Sequence, residues 1–298
     1  IHPGYDEVQV EQMEIWHDPY ALLALVALSC LYPLWYTLCL SISKKAAVDA
    51  GWVSAYPIGF SLANYKKIVS DSVFLNSVWI SVRRVLIGTP LTLAVIVLVA
   101  YPISKSARTF RGRNFVIWLL VFCMLFGAGL VPWYISMVKL KMINNFWGLI
   151  LSTGLPIYYV ILVMNFFRSI PKELEEAAIM DGAGQWRLLI DIVLPCSLPV
   201  LATITLFVGV NYWNEYYNGM LLSTTDTFYP LMTYIKSLVI PINTSVSMTP
   251  DQLKEMAKLS NDGLNAAKVF VALVPMLVVY PWLQKYFISG IMIGSVKE

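Results

Sequence analysis

Long stretches without a charged side chain constrain this sequence more than any other feature. Five runs of 17 or more residues contain no Asp, Glu, Lys or Arg, and a sixth uncharged run, from Val269 to Gln284, is 16 residues long. A helix needs about 20 apolar residues to cross the hydrocarbon core of a bilayer. Backbone groups in lipid must bond to one another, and these runs are too long and uniform for barrel strands, so the pattern predicts membrane-spanning helices.

The composition excludes the main soluble classes of protein. Hydrophobic residues make up 58% of the 298 residues, and charged residues only 13%, about half of the roughly 25% that is usual in soluble domains. So few charges would cover the surface of a cytosolic enzyme of this length poorly. The net charge of +3 is also too small to indicate a nucleic-acid-binding protein.

We therefore predict an all-α integral membrane protein with six transmembrane helices. An N-terminal tail, residues 1–18, would precede a membrane domain formed by residues 19–298. The approximate spans are 19–42, 74–101, 115–138, 146–167, 192–214 and 269–285. Basic residues in the short segment 102–113 indicate that it is cytoplasmic, because short cytoplasmic loops are rich in Lys and Arg. Both termini would then be cytoplasmic, and segments 44–72 and 219–267 external.

The segment between the fourth and fifth predicted spans, residues 168–191, has the most distinctive local pattern. Pro171 and the glutamates that follow it are typical of a helix N-terminus, and Gly182 and Gly184 are typical of a helix end. A second helix is predicted to begin near Gln185. The residues thus predict a short helix outside the bilayer and a tight turn. On these grounds alone, the segment could equally be a plain connector between two spans.

The same residues resemble the signature of a known family. Glu176-Ala177-Ala178, Gly182, Ile192 and Leu194-Pro195 match the EAA motif of bacterial ABC-importer permeases at every fixed position. Segments 126–132, 143–147, 165–171 and 290–294 resemble the MalG-like carbohydrate permeases of the LplC/YtcP polysaccharide group. The resemblance covers the chain except for the N-terminal tail. It implies the type I importer permease fold and a multi-pass protein of the bacterial cytoplasmic (inner) membrane.

The resemblance also implies a role for the segment 168–191. In that family it forms a coupling helix that docks on a cytoplasmic ATP-binding subunit. The residues that would couple here are Glu176, Ala177, Ala178, Asp181 and Gly182. The chain has no Gly-rich P-loop, so ATP and Mg would be bound by partner subunits. We expect no cofactor, no metal site and no catalytic residue in this chain, which would be a transport subunit and not an enzyme.

The resemblance further implies a set of partners. They would be a second, homologous permease that completes a heterodimer, two ATP-binding subunits, an extracytoplasmic solute-binding protein, membrane lipid and an oligosaccharide substrate. Transport would proceed by alternating access, with ATP hydrolysis on the partner subunits.

Polar and aromatic residues near the outer end of the fifth span are candidates for the substrate pathway. Sugars pack their C–H faces on aromatic rings and pair their hydroxyls with amides or carboxylates. The candidates are Asn211, Trp213, Asn214, Glu215 and Tyr216. An aromatic belt at the membrane interface explains the tyrosines equally well.

Arg83 and Arg84 interrupt the second predicted span and are also candidates for the substrate pathway. Adjacent residues on a helix point about 100° apart, so the two side chains cannot share a direction. They could be an interfacial anchor or a structural ion pair. Alternatively, one of them could bind an anionic sugar, since guanidinium recognises carboxylate bidentately. On that hypothesis the cargo is acidic, such as an alginate oligosaccharide.

Three other functions are weighed against this one. An ion- or proton-coupled secondary transporter would use acidic or His residues inside the spans, but the first four spans and the sixth contain no carboxylate. An intramembrane enzyme would need a catalytic constellation within the membrane, but His2 and His17 both lie in the tail. An ABC importer permease for a non-sugar solute remains the alternative within the same family.

Overall fold

The fold is known from a computed structural model, which describes residues 5–239 and 262–295, with side chains for residues 20–238 and 262–279. Within these ranges the regular elements are helices, and no strand occurs. The predicted all-α class is therefore confirmed. Residues 240–261, which belong to the second predicted external segment, lie outside the described residues.

The helices are numbered in chain order. Their bounds are α1 Tyr5–Ser41, α2 Lys45–Asp49, α3 Ala63–Ser70, α4 Ser72–Ser104, α5 Arg113–Leu125, α6 Leu130–Lys139, α7 Phe146–Leu151, α8 Ile157–Ser169, α9 Lys172–Met180, α10 Gln185–Leu188, α11 Leu194–Cys196, α12 Leu198–Asn214, α13 Tyr217–Leu222, α14 Leu231–Val239 and α15 Asp262–Ser295. A π-helical segment, Leu189–Val193, joins α10 to α11, and a 3-10 turn, Asp226–Phe228, precedes α14.

Three of these helices are long and apolar enough to cross a membrane. They are Tyr20–Ser41 within α1, all of α4, and Asp262–Val279 within α15. Two bent pairs also qualify if each pair counts as one span: α5 with α6, bent by 111°, and Gln185–Cys196 with α12, bent by 82°. The described residues therefore contain three to five candidate spans, compared with the six that were predicted.

Glycine and proline interrupt two of the predicted spans. The segment 115–138 breaks between α5 and α6 at Gly129, whose φ of +82° is a backbone conformation that glycine adopts without strain. The segment 146–167 divides into α7 and α8, and Pro156 stands immediately before α8. The 13 residues of α8 extend only about 20 Å. Both segments differ from the continuous helices that were predicted, because mean hydropathy does not register breaks in the backbone.

A proline also shapes the connection into α12. Pro195 has no N–H to donate to the carbonyl four residues earlier, and its ring would clash with that carbonyl. The chain widens into the π-helical segment just before it, where the Leu194 N–H donates to the Leu189 carbonyl oxygen. The helix axis then turns by 82° at Ser197, between α11 and α12.

Residues 72–239 and 274–295 form one compact unit, whose core lies between α4, α8 and α12. Side chains from all three helices have no exposed surface: Ile96, Ala100, Val160, Val163 and Ile204. Small residues allow close approach of membrane helices. Gly88 on α4 is an example, because a Cβ there would lie 2.8 Å from the ring of Tyr212 on α12.

Residues 5–71 and 262–273 form a second compact unit. The predicted external segment 44–72 is folded here rather than extended: α2 packs Ala47 and Val48 against Cys39. In the same unit, Lys268 Nζ lies 2.6 Å from the Asp71 carboxylate oxygen Oδ2. The segment 44–72 therefore contains packed apolar side chains and contributes Asp71 to a mostly buried ion pair.

Candidate coupling segment and substrate pathway

The predicted coupling segment, residues 168–191, forms two helices joined by a tight turn. Helix α9 begins directly after Pro171 and carries Glu173 and Glu175 in its first turn. Acidic side chains are favourable there because the first N–H groups of a helix have no intrahelical partner and carry partial positive charge. Helix α10 begins at Gln185. The helix–turn–helix arrangement expected from the sequence is therefore confirmed.

Gly182 makes the turn between α9 and α10 possible. Its φ is +80°, in the left-handed region. Its N–H donates to the Ile179 carbonyl oxygen at 3.0 Å, and the N–H of Ala183 donates to the Ala178 carbonyl oxygen at 2.9 Å. These are the two hydrogen bonds of a Schellman motif. Other residues are strained in the left-handed region, so the path of the chain after α9 depends on this glycine.

The turn presents most of the predicted coupling residues on an exposed surface. Glu176, Ala177, Asp181 and Gly182 are exposed, and Ala178 is half-buried. Large apolar side chains are exposed beside them, led by Met180 at 87%. We define the coupling surface as Leu174, Glu176, Ala177, Ile179, Met180, Asp181 and Trp186. An apolar patch with a charged rim is typical of a site that binds another protein.

Arg84, one of the predicted pathway residues, is completely buried, and its guanidinium is held on three sides. Its Nε donates to the Leu149 carbonyl oxygen at 2.9 Å. Its Nη1 donates to the Glu215 carbonyl oxygen at 3.2 Å, and its Nη2 donates to the Glu215 carboxylate at 2.6 Å. Arg84 therefore fastens α4 to both α7 and the end of α12.

Glu215 is also engaged from a second direction. Its carboxylate oxygen Oε1 accepts the N–H of Asn218 at 2.5 Å, and its side chain is only 13% exposed. Hydrogen bonds to an ionised group are shorter and stronger than neutral ones. The arrangement corresponds to the structural ion pair that was one interpretation of the intramembrane arginines, and it joins two of the predicted pathway residues.

Arg83 has a different environment from its neighbour. It is half-buried, and its guanidinium carbon lies 4.5 Å from the centroid of the Phe146 ring. Such a cation–π contact is worth about 0.5–1 kcal/mol at an exposed site. Within the described part of the chain, Arg83 takes part in no ion pair.

Tyr212 lies at a small cavity beside α4, α8 and α12, which polar and apolar side chains line together. Its hydroxyl is 2.9 Å from the Thr92 hydroxyl and 3.3 Å from the Thr153 hydroxyl, and it donates to the Ile150 carbonyl oxygen at 3.2 Å. A cavity of about 40 Å³ is lined by Thr92, Thr153, Gly154, Pro156, Tyr159, Val208, Asn211 and Tyr212. An adjoining cavity of about 210 Å³ shares Thr92, Gly154 and Tyr212. Asn211 is thus the predicted pathway residue that meets this cavity.

The other predicted pathway residues are dispersed. Trp213 is buried and lines a separate apolar groove of about 460 Å³. Asn214 is exposed. Tyr216 is 40% exposed, and its ring centroid lies 5.6 Å from Lys236 Nζ. The five candidates at the end of α12 therefore do not converge on one site.

Tyr212 was missed as a pathway candidate from the sequence. It stands in a run of aromatic residues, and nothing in that run distinguishes a buried hydroxyl from an interfacial one. The feature that makes room for its ring is Gly88, which lies on another helix. Their contact could not be inferred without the packing of α4 against α12.

Comparisons with known proteins cover most of the chain. A family model described as "Binding-protein-dependent transport system inner membrane component" matches residues 55–293. The polygalacturonan/rhamnogalacturonan transport system permease protein YtcP of Bacillus subtilis (strain 168) is 33% identical over 278 residues, which cover 93% of this chain and 96% of YtcP. Protein LplC of the same organism is 33% identical over 267 residues, covering 90% and 89% of the two chains.

Solved structures agree with these matches. A chain from a bacterial ABC transporter involved in the import of the acidic polysaccharide alginate has a TM-score of 0.82 and 30% identity, covering 96% of this chain and 99% of that one. A chain from an alginate ABC transporter in complex with an alginate pentasaccharide-bound periplasmic protein, with a TM-score of 0.52 and 16% identity, agrees in fold alone.

The matched region contains the coupling segment, the Arg84–Glu215 pair and the Tyr212 cavity. The family inferred from the EAA residues is thereby confirmed, with its type I permease fold and its place in the inner membrane. This family match argues against the two alternatives from other classes, an ion-coupled secondary transporter and an intramembrane enzyme. The chain belongs to the family of binding-protein-dependent transport system inner membrane components, the permeases of ABC importers.

Proposed function

We propose that this chain is the permease subunit of an ATP-driven oligosaccharide importer in a bacterial cytoplasmic membrane. The coupling surface carries the proposal, because it presents apolar side chains and carboxylates on a helix outside the predicted spans. The names of the relatives, which refer to polygalacturonan, rhamnogalacturonan and alginate, support a sugar cargo. A non-sugar solute is the alternative, and no feature of the described cavities favours it.

The proposed topology has six spans with both termini in the cytoplasm. Counting each bent pair as one span gives five. The sixth would be α7 together with α8, whose break contributes Gly154 and Pro156 to the cavity beside Tyr212. Non-helical backbone is tolerated at membrane depth where protein buries it or where it lines a cavity. An even number of spans places both chain ends on the side of the coupling segment.

The proposed partners fit the surfaces that the fold leaves exposed. The coupling surface would enter a cleft on an ATP-binding subunit, and a pair of such subunits would bind ATP and Mg. A second, homologous permease would cover apolar helices such as α5 and α6, which contain no buried residue. An extracytoplasmic binding protein would deliver the sugar to the external segments 44–72 and 219–267.

The transport cycle follows from this assembly. Closure of the two ATP-binding subunits would draw the coupling segments of the two permeases together. Packed cores are not continuously deformable, so such a displacement is expressed as a rigid-body switch between inward-facing and outward-facing states. Along the pathway, Asn211 and the rings of Tyr159 and Tyr212 offer a sugar an amide and apolar faces.

The coupling assignment is tested by changing Glu176, which is exposed on the coupling surface. Glu176→Lys should lower ATP-driven uptake at least about tenfold in proteoliposomes, because reversing one charge at an interface costs more than 1.4 kcal/mol. Glu176→Asp keeps the charge and is the matched control. Uptake that is equal in the two variants would contradict the docking of this surface on the ATP-binding subunit.

The acidic-cargo hypothesis is tested on Arg83. Arg84 is already paired with Glu215, so Arg83 is the intramembrane arginine that a uronate could engage without breaking an ion pair. Arg83→Gln should lower the uptake of a uronate oligosaccharide about tenfold or more and spare a neutral one, since a charge-assisted contact contributes about 1.5–3 kcal/mol. Arg83→Lys should keep part of the preference. An equal loss for both sugars would remove the idea.

A further inference from the structure

The cytoplasmic end of α4 holds the coupling segment through a charged contact. Lys105, directly after the last residue of α4, places its Nζ 2.6 Å from the Glu175 carboxylate oxygen Oε1. The two side chains are only 12% and 24% exposed. Glu175 lies on α9 but outside the coupling surface, so this contact faces the permease and leaves the docking residues uncovered.

Tyr101 extends the contact to the other side of the Gly182 turn. Its hydroxyl lies 3.1 Å from the Gln185 carbonyl oxygen and 3.0 Å from the Gln185 side-chain oxygen Oε1. Its ring centroid lies 4.4 Å from Lys105 Nζ. Lys105 thus holds α9 through Glu175, and Tyr101 holds α10 through Gln185. We call Tyr101, Lys105, Glu175 and Gln185 the brace.

Burial distinguishes the Lys105–Glu175 pair from an ordinary surface ion pair. The coupling segment also contains the pair Arg187–Asp191, but its atoms are 3.8 Å apart and its side chains are 73% and 61% exposed. Exposed pairs of that kind contribute little, because water screens them. The Lys105–Glu175 distance is shorter, at 2.6 Å, and both side chains are mostly buried. Lys105 also contacts the ring of Tyr101, which favours its positive charge.

The coupling segment is also joined to the core along the chain. Ile170, between α8 and α9, is buried in the core, and on the other side the chain passes through the π-helical segment and the 82° bend at Ser197 before it reaches α12. Helix α4, which contains Pro90 and Pro102, packs against both α8 and α12. Its last turns contribute Ala100, Tyr101 and Ile103 to the core, so a displacement delivered through the brace acts on the core directly.

We propose that the brace transmits the displacement of the coupling segment to α4, so that the segment and the helix move as one body during transport. Tyr101, Lys105, Glu175 and Gln185 are then positioning residues that act within the permease and do not touch the ATP-binding subunit. The inference rests on the proposed docking of the coupling surface and adds a non-covalent path by which that docking reaches the core.

The experiment measures sugar transported per ATP hydrolysed by the complete importer in proteoliposomes. Lys105→Met keeps the apolar stem and should lower this ratio at least about fivefold, the lower end of typical coupling between sites. Arg108→Met removes an exposed positive charge from the same loop and should leave the ratio unchanged. A purely structural role would reduce the amount of folded complex but not the ratio, and that result would overturn the proposal.

If the importer that carries Lys105→Met does not assemble, a charge exchange tests the same ion pair. The double variant Lys105→Glu/Glu175→Lys restores an ion pair with opposite polarity and should recover most of the ratio that Glu175→Lys alone loses. No recovery in a folded complex would overturn the brace. Failure of the underlying docking looks different, because Glu176→Lys would then keep normal uptake. Failure of the brace alone would leave Glu176→Lys defective in uptake while Lys105→Met keeps a normal ratio.

Discussion

Replacing Arg84 with methionine is expected to lower the free energy of unfolding of the permease by about 3–5 kcal/mol, the usual cost of removing one partner from a buried ion pair. Arg84 has no exposed surface, and its loss would leave the Glu215 carboxylate without its guanidinium partner and the Leu149 carbonyl without the Nε–H donor. The thermal unfolding midpoint in detergent, together with the amount of folded protein in membranes, measures the effect.

Two further variants separate the ion pair from a general effect of removing an arginine. Arg83→Met deletes the same side chain one residue earlier, where it is half-buried and contacts the ring of Phe146, and should cost about 1 kcal/mol or less. Arg84→Met/Glu215→Gln removes both charges and should recover much of the loss, because no unpaired ion is then buried. Equal destabilisation by Arg83→Met and Arg84→Met would show that the pairing with Glu215 is not the cause.

Replacing Gly182 with threonine is expected to abolish most ATP-driven uptake while the protein still inserts in the membrane. A Cβ at this position meets no atom within 4 Å, so the cost comes from the backbone at φ +80° and not from crowding. That cost is about 1–2 kcal/mol for a residue with a Cβ, and branching at Cβ adds to it. The Schellman turn should open, displacing α10 relative to α9. Uptake and ATP hydrolysis in proteoliposomes measure the uncoupling.

Gly184 provides a matched control for that change. A Cβ added at Gly184 would also meet no atom within 4 Å. Its backbone φ of −77° and ψ of 170°, however, are accessible to any residue. It precedes the first residue of α10, a position at which threonine is as acceptable as glycine. Gly184→Thr should therefore retain uptake. A loss as large as that of Gly182→Thr would mean that added volume, and not the left-handed turn, disturbs the coupling segment.

The coupling segment was predictable because its structure is local. A proline before the helix, acidic residues in its first turn and a glycine after its last turn each act on neighbouring backbone groups, so their spacing along the chain is enough to place them. The spans were less predictable. Gly129 interrupts one apolar run and Pro156 another, and a hydropathy average counts each as one residue among about twenty.

The environments of the predicted substrate-pathway residues could not be inferred from the sequence. Arg83 and Arg84 are neighbours with the same chemistry, yet one lies on the ring of Phe146 and the other is buried against Glu215. Direction around a helix separates them, and only the packing of α4 against α7 and α12 decides which arginine faces the interior. The position of the Tyr212 ring is also decided by helix packing, because the ring lies against Gly88 on α4.

The sequence by itself therefore determined the membrane environment, the family and the turn after α9, because each depends on composition or on contacts within a few residues. Tertiary structure decided the rest. The partner of Arg84 is 131 residues away, and the partner of Lys105 is 70 residues away. Contacts at such separations are set by how helices pack, and no local pattern encodes them.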